Sequence, residues 1–136
     1  MEERHMKLLK TAYAHCDIPC GIYETDSMLH DTDTCIKMIE KIEGLGELDN
    51  VEKHNTFVRC VVNKEKHADK VKHQVYVLWS DYFKPEHLEK YPDLHDKLWK
   101  TAKQASQVKQ TVSMEEAKKL ADMVHDVAHL FADSKQ

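Results

Sequence analysis

Residues that break helices are scarce in this chain, with three glycines and three prolines among 136 residues. Glycine and proline supply the turns that a protein of many short strands needs. Their scarcity therefore favours long helices, and the apolar residues recur at helical spacing. From Asp26 onward the stripe runs through Met28, Leu29, Cys35, Ile36, Ile39 and Ile42, and Gly44 and Gly46 stop it. A second helix is predicted from Asp49, whose side chain can cap it with Glu52 three residues on. Its stripe is Val51, Val58, Val61, Ala68, Val71, Val75, Leu78 and Tyr82. The piece HQVYVLWSDYF has strand propensity, but no turn or partner strand flanks it, so the helical register prevails. Pro85 and Pro92 interrupt the pattern. A third helix follows through Leu94, Leu98, Ala102, Ala105 and Val108. The last opens on the capping-box pattern Ser113-Met-Glu-Glu116 and continues through Ala117, Leu120, Ala121, Val124, Ala128 and Phe131. Four amphipathic segments with short connections predict an all-α, up-down four-helix bundle in one domain.

Composition excludes several classes. The chain is 41% hydrophobic and 32% charged, and no run approaches the ~20 apolar residues of a membrane span. A net charge of −4 offers no general electrostatic support to a nucleic-acid partner, and an anionic substrate has to be drawn by local positive charge. Four cysteines, at 16, 20, 35 and 60, are too few for a disulfide-stapled scaffold. Residues 1–14, MEERHMKLLKTAYA, are basic, but Met6, Leu8 and Leu9 fall short of the roughly 7–15 apolar residues of a secretory core. Ala12-Tyr13-Ala14 has the small-x-small look of a cleavage site. We read residues 1–14 as a removable leader of another kind, on a cytoplasmic protein.

Directly after that leader stands HCDIPCGIY, at 15–23. Cys16 and Cys20 lie four apart with Pro19 between them, which is too irregular for one helical face. Pro19 biases Ile18 away from helix and Gly21 admits φ values closed to other residues, so the segment can curl both thiolates toward one atom. The C-x-x-C-H of haem attachment and the second cysteine pair of a structural zinc site are absent. Cleavage between Ala14 and His15 would create a new amine. That amine, the amide nitrogen of Cys16 and the Cys16 sulfur can form two fused chelate rings. Cys20 then completes a plane, with the His15 imidazole axial. A planar N,S donor set suits Ni(II) or Cu(II).

HCDIPCGIY closely resembles the amino-terminal hook of the nickel superoxide dismutases, whose pattern is H-C-x-x-P-C-G-x-Y. VLWSDYFKP at 77–85 and EKYPDLH shortly after it are similar to the same family, so the likeness covers most of residues 15–136. The resemblance implies a four-helix bundle assembled as a homohexamer, with a leader that a peptidase removes ahead of the histidine. It implies disproportionation of superoxide to dioxygen and hydrogen peroxide, with nickel alternating between Ni(II) and Ni(III). His15, Cys16 and Cys20 would be the nickel ligands. Tyr23 and Tyr82 would stand over the open face and restrict access to small species. Asp17 and Pro19 would shape the hook, and Lys84 would attract superoxide. The family usually pairs an acidic residue near position 31 with an arginine near 67 to orient the axial histidine. Here those places hold Asp31, one methylene shorter than glutamate, and His67, which is not permanently charged.

Other chemistry-bearing residues have plainer readings. Cys35 falls on an apolar stripe and Cys60 lies beside Val61, so both are read as core thiols. His125 and His129, one helical turn apart, are too few to hold a metal and are read as a surface or interface pair. Trp79, Tyr82, Phe83 and Tyr91 are more aromatic surface than one small bundle easily buries. Two alternatives stand beside the dismutase. One is a nickel-binding or storage protein without efficient turnover, which His67 keeps open; the other is a purely structural helical oligomer.

Overall fold

The computed structural model describes residues 21–136. The leader at 1–14 and the hook residues 15–20 lie outside the described residues. Helix α1 spans Asp26–Glu43, α2 Val51–Val77, α3 Pro85–Lys90, α4 Leu94–Gln110 and α5 Met114–Ser134. Each long helix touches two others: α1 lies against α2 and α5, and α4 against α2 and α5. These four form the bundle, and α3 is a short turn of helix inside the connection from α2 to α4. The core is one cluster, with Met28, Cys35 and Ile39 of α1 facing Ala68, Val71 and Val75 of α2. Leu94, Leu98, Ala105 and Val108 of α4 and Leu120, Val124 and Val127 of α5 close it.

The second helix departs from the sequence expectation at its start. Asn50, not Asp49, is the cap: its side chain accepts from the Lys53 N–H at 2.9 Å. Asp49 lies one residue too early and instead pairs with the Lys53 ammonium at 2.9 Å. The inward line of α2 runs through Cys60, Lys64, Ala68, Val71 and Val75. Val51 sits nine residues before Cys60, half a turn out of phase at 3.6 residues per turn, and is 79% exposed. Val58 and Val62 are also exposed, at 56% and 61%. The apolar residues early in α2 thus form an outer strip rather than core.

Lys64 occupies a core position, with 1% of its surface exposed. Its ammonium donates to the carbonyls of Val108 at 2.6 Å and Lys109 at 2.8 Å. Those carbonyls belong to the last turn of α4, which has no helical partners for them and carries partial negative charge. Burial holds the Lys64 amine below its usual range. The Cys35 thiol, 3.5 Å from the Lys64 carbonyl, is fully buried; burial pushes it up to about 12. Cys35 and Cys60 are both free and buried.

Helix α5 starts as its capping pattern predicts, with Ser113 Oγ accepting from the Glu116 N–H. The Glu116 carboxylate does not complete the reciprocal bond but accepts from Gln104 Nε2 at 2.6 Å, tying α5 to α4. At the far end of α2 the helix widens into a π-helical turn at Leu78–Tyr82, closed by Phe83 N–H to Leu78 O at 3.0 Å. Phe83 and Lys84 are extended, as the approach to Pro85 requires, and Pro85 opens α3.

Candidate metal centre

The chain enters the described region at Gly21, whose φ of +95° lies in the left-handed region that side chains with a Cβ avoid. Ile22 is exposed, and Tyr23 turns inward to 7% exposure. Its ring packs on Tyr82 at 5.6 Å between centroids. Glu24 then closes the first turn of α1, its carboxylate accepting from the Ser27 N–H at 2.9 Å and from the Ser27 hydroxyl. Burial alone would raise this carboxyl, but those bonds from Ser27 hold it below its usual range. A hollow of about 140 Å³ beside the entry is lined by Ile22, Tyr23, Glu24, Gln74, Val77 and Leu78.

Tyr82 ends the π-helical turn and sits in an aromatic nest. Phe131 lies at 4.7 Å, Phe83 edge-on at 5.0 Å, and His87 stacked at 5.6 Å. Its hydroxyl is 2.8 Å from Ser134 Oγ. Ser134 spends its single proton on the Phe131 carbonyl at 2.6 Å, so Tyr82 is the donor in that pair. The half-buried Lys84 caps α3, and its backbone N–H donates to His87 Nδ1 at 3.0 Å. His87 is therefore unprotonated at Nδ1 where it stacks on Tyr82.

Asp31 and His67 meet across α1 and α2. His67 Nδ1 donates to Asp31 Oδ1 at 2.6 Å, with side chains 20% and 9% exposed. The second oxygen of Asp31 accepts from Gln74 Nε2 at 3.1 Å. Sequence reasoning picked out Asp31 and His67 but missed Gln74, His87 and Ser134. Gln74 had one available signal: it follows His67 by seven residues, two helical turns, and so shares its face.

The structure brings Tyr23 and Tyr82 together, pairs Asp31 with His67, and seats Lys84 one residue beyond Phe83. His125 and His129 are exposed on α5. His15, Cys16, Asp17, Pro19 and Cys20 lie outside the described residues. Among the described residues no three His, Cys, Asp or Glu side chains converge enough to hold a metal ion. The remaining donor set, two thiols and a histidine within six residues, has the soft sulfur and nitrogen character that nickel takes. A histidine freed at its amine would add a further nitrogen.

Comparison with known proteins points to the same metal. A family model for nickel-containing superoxide dismutase matches residues 10–135. The chain is 36% identical over 126 residues to the nickel superoxide dismutase of Streptomyces coelicolor, covering 93% of this chain and 92% of that protein. It is 32% identical over 123 residues to that of Streptomyces seoulensis, with 90% and 89% covered. Its fold superimposes on a native nickel superoxide dismutase structure with a TM-score of 0.78 at 35% identity, spanning 90% of this chain and all of that one. It also superimposes on an apo form with a TM-score of 0.76 at 33% identity, spanning 85% and 98%. The chain belongs to the nickel-containing superoxide dismutase family.

Proposed function

We propose that this chain is a nickel superoxide dismutase that works at a hook beginning at His15, exposed when residues 1–14 are removed by a peptidase. The observation that carries this reading is the hook HCDIPCGIY lying inside the span that the family model matches. Nickel, when bound, supplies a one-electron couple between Ni(II) and Ni(III), through which two superoxide ions and two protons yield one dioxygen and one hydrogen peroxide. The His15 amine and imidazole, the Cys16 amide and thiolate and the Cys20 thiolate would hold the nickel. Electron-rich thiolate and amidate donors make the higher oxidation state reachable. Asp17 and Pro19 set the curl of the hook.

The described residues support this reading from the hook's exit inward. Tyr23 and Tyr82, ring against ring, make an aromatic wall that suits a site admitting only small species. The Tyr82 hydroxyl is anchored to Ser134, so its ring is held rather than swinging. Lys84 supplies local positive charge toward an anion on a chain whose net charge is −4. Asp31, held by His67 and Gln74, is the carboxylate available to orient the His15 ring.

We further propose a homohexamer in the cytoplasm. The outer strip of Val51, Val58 and Val62 supports an interface between copies. A broad hollow of about 620 Å³, lined by Met38, Val58, Cys60 and Val62 among others, lies beside it. No described helix is long and apolar enough to cross a membrane.

The test is superoxide disproportionation by protein that begins at His15, loaded with nickel under reducing conditions, with bound metal and first residue established by mass spectrometry. Stoichiometric nickel with activity far above that of the metal-free protein is expected. Stoichiometric nickel without turnover would favour the storage reading, and no nickel uptake would leave a structural oligomer.

A further inference from the structure

Helix α3 begins on a lysine. The residue that caps a helix start is ordinarily Ser, Thr, Asp or Asn, whose side chain accepts from the exposed N–H groups of the first turn. Lys84 stands there instead, and an ammonium has no acceptor to give. The start is held from the other side, by the half of a capping box that Glu or Gln normally supplies. The Lys84 N–H donates to His87 Nδ1 at 3.0 Å, and the His87 N–H donates back to the Lys84 carbonyl at 2.9 Å. With Nδ1 accepting, the neutral ring carries its proton on Nε2.

Glutamine would make that bond equally well, so the bond alone does not account for an imidazole. The ring has a second set of contacts. It lies nearly flat on Tyr82, with 5.6 Å between centroids and 14° between planes, and meets Phe83 edge-on at 5.5 Å and 86°. Both are arrangements that aromatic rings favour. Phe83 and Lys84 are extended between two helical segments, and the imidazole ties the start of α3 back to the end of the π-helical turn. One half-buried side chain thus holds both the main chain at Lys84 and the ring of Tyr82.

We propose that His87 is a positioning residue: it fixes the main chain that carries the Lys84 ammonium against the ring of Tyr82. Its part in turnover rests on the reading of Lys84 and Tyr82 as groups that draw and screen superoxide; its hold on them does not. The two contacts are separable. The Nδ1 acceptor holds Lys84, and the ring face holds Tyr82.

The experiment uses two variants. His87→Phe keeps a ring on Tyr82 but removes the acceptor; His87→Gln restores the acceptor in its usual capping-box form but removes the ring. In the full-length, metal-free chain, amide exchange followed by NMR should show the Lys84 N–H protected in the wild type. It should exchange about tenfold faster in His87→Phe and slowly again in His87→Gln. Cross-relaxation between the Tyr23 and Tyr82 rings should persist in His87→Phe and weaken in His87→Gln. In nickel-loaded protein beginning at His15, His87→Phe should lower kcat/KM about threefold and flatten its dependence on ionic strength. His87→Gln should recover that dependence. On a Lys84→Met background, His87→Phe should have little further effect, because its action passes through the charge. Equal Lys84 exchange in wild type and His87→Phe, or an equal loss of kcat/KM with and without the Lys84 charge, overturns the proposal. Ring cross-relaxation unchanged in His87→Gln overturns it as well. Wild-type protein that binds nickel without turnover would instead defeat the functional reading, while the metal-free spectra would still decide whether His87 holds Lys84 and Tyr82.

Discussion

Replacing Cys35 with serine should invert the stability order of two proteins between pH 8 and pH 11. In the folded chain the Cys35 thiol is fully buried and its ionisation is pushed up to about 12, against an ordinary value of 9.0. Burial is the main cause; the Asp31 carboxylate adds to it and the Lys64 ammonium opposes it. Above pH 9 the unfolded chain loses this proton while the folded chain keeps it, so the folded state binds more protons and stability falls as pH rises. The slope approaches about 1.4 kcal/mol per pH unit, and by pH 11 the loss from this one group is about 3 kcal/mol. Lys64 acts in the opposite sense below 10.5, since its folded amine gives up its proton first, but it does so in both proteins. Serine has no such proton to lose. At pH 8, Cys35→Ser should cost about 1–2 kcal/mol, because a hydroxyl replaces a thiol in an apolar site. At pH 11 the variant should be the more stable of the two. The assay is urea unfolding of both proteins, fully reduced, at the two pH values, with equal m-values required for the comparison. Parallel loss of stability in the two proteins would refute the claim that a buried neutral thiol makes the fold alkali-sensitive.

Lys64→Met should lower the unfolding free energy by about 1–3 kcal/mol, seen as a lower urea midpoint. The carbonyls of Val108 and Lys109 lose their donor, and relief from burying a charge offsets only part of that. Cys16→Ser and Cys20→Ser should each abolish redox-active nickel binding and dismutase activity together; near-normal activity in either would sink the coordination proposed for the hook. Protein retaining residues 1–14 has an amide where the His15 amine should be. It should fold its helices, measured by circular dichroism, but stay inactive when incubated with nickel. Equal activity in full-length and His15-start proteins, with the leader shown intact by mass, would defeat that claim. Replacing both Val58 and Val62 with aspartate should break the assembly, and light scattering that gives the same mass with and without the change would remove the outer strip of α2 from the interface.

Features whose partners lie close along the chain are legible in the sequence alone. The donors proposed for the hook sit within six residues, so their softness and spacing narrow the metal to nickel or copper without tertiary information, and the family resemblance then selects nickel. The four long helices follow from apolar spacing, and α4 buries all five residues that its stripe named. Even so, local signals erred by a residue or a half-turn where neighbours competed. Asn50 took the cap from Asp49, and Val51 and Val58 turned out to solvent while Cys60 and Lys64 turned in. Charge and polarity mislead at the positions where a distant group satisfies them. A lysine reads as surface until Val108 and Lys109, more than forty residues away, bring two unpaired carbonyls to it. The same holds for Gln74, unremarkable in sequence, which acquires its partner only when α1 places Asp31 against α2. The π-helical turn that aims Tyr82 at Tyr23, and the short helix begun by Pro85, likewise depend on closing the bundle. Sequence can name candidate donors held on one short segment; the pairings of Asp31, Gln74 and Tyr82 are chosen by helix packing, because their partners are far apart in the chain and meet only when the core forms.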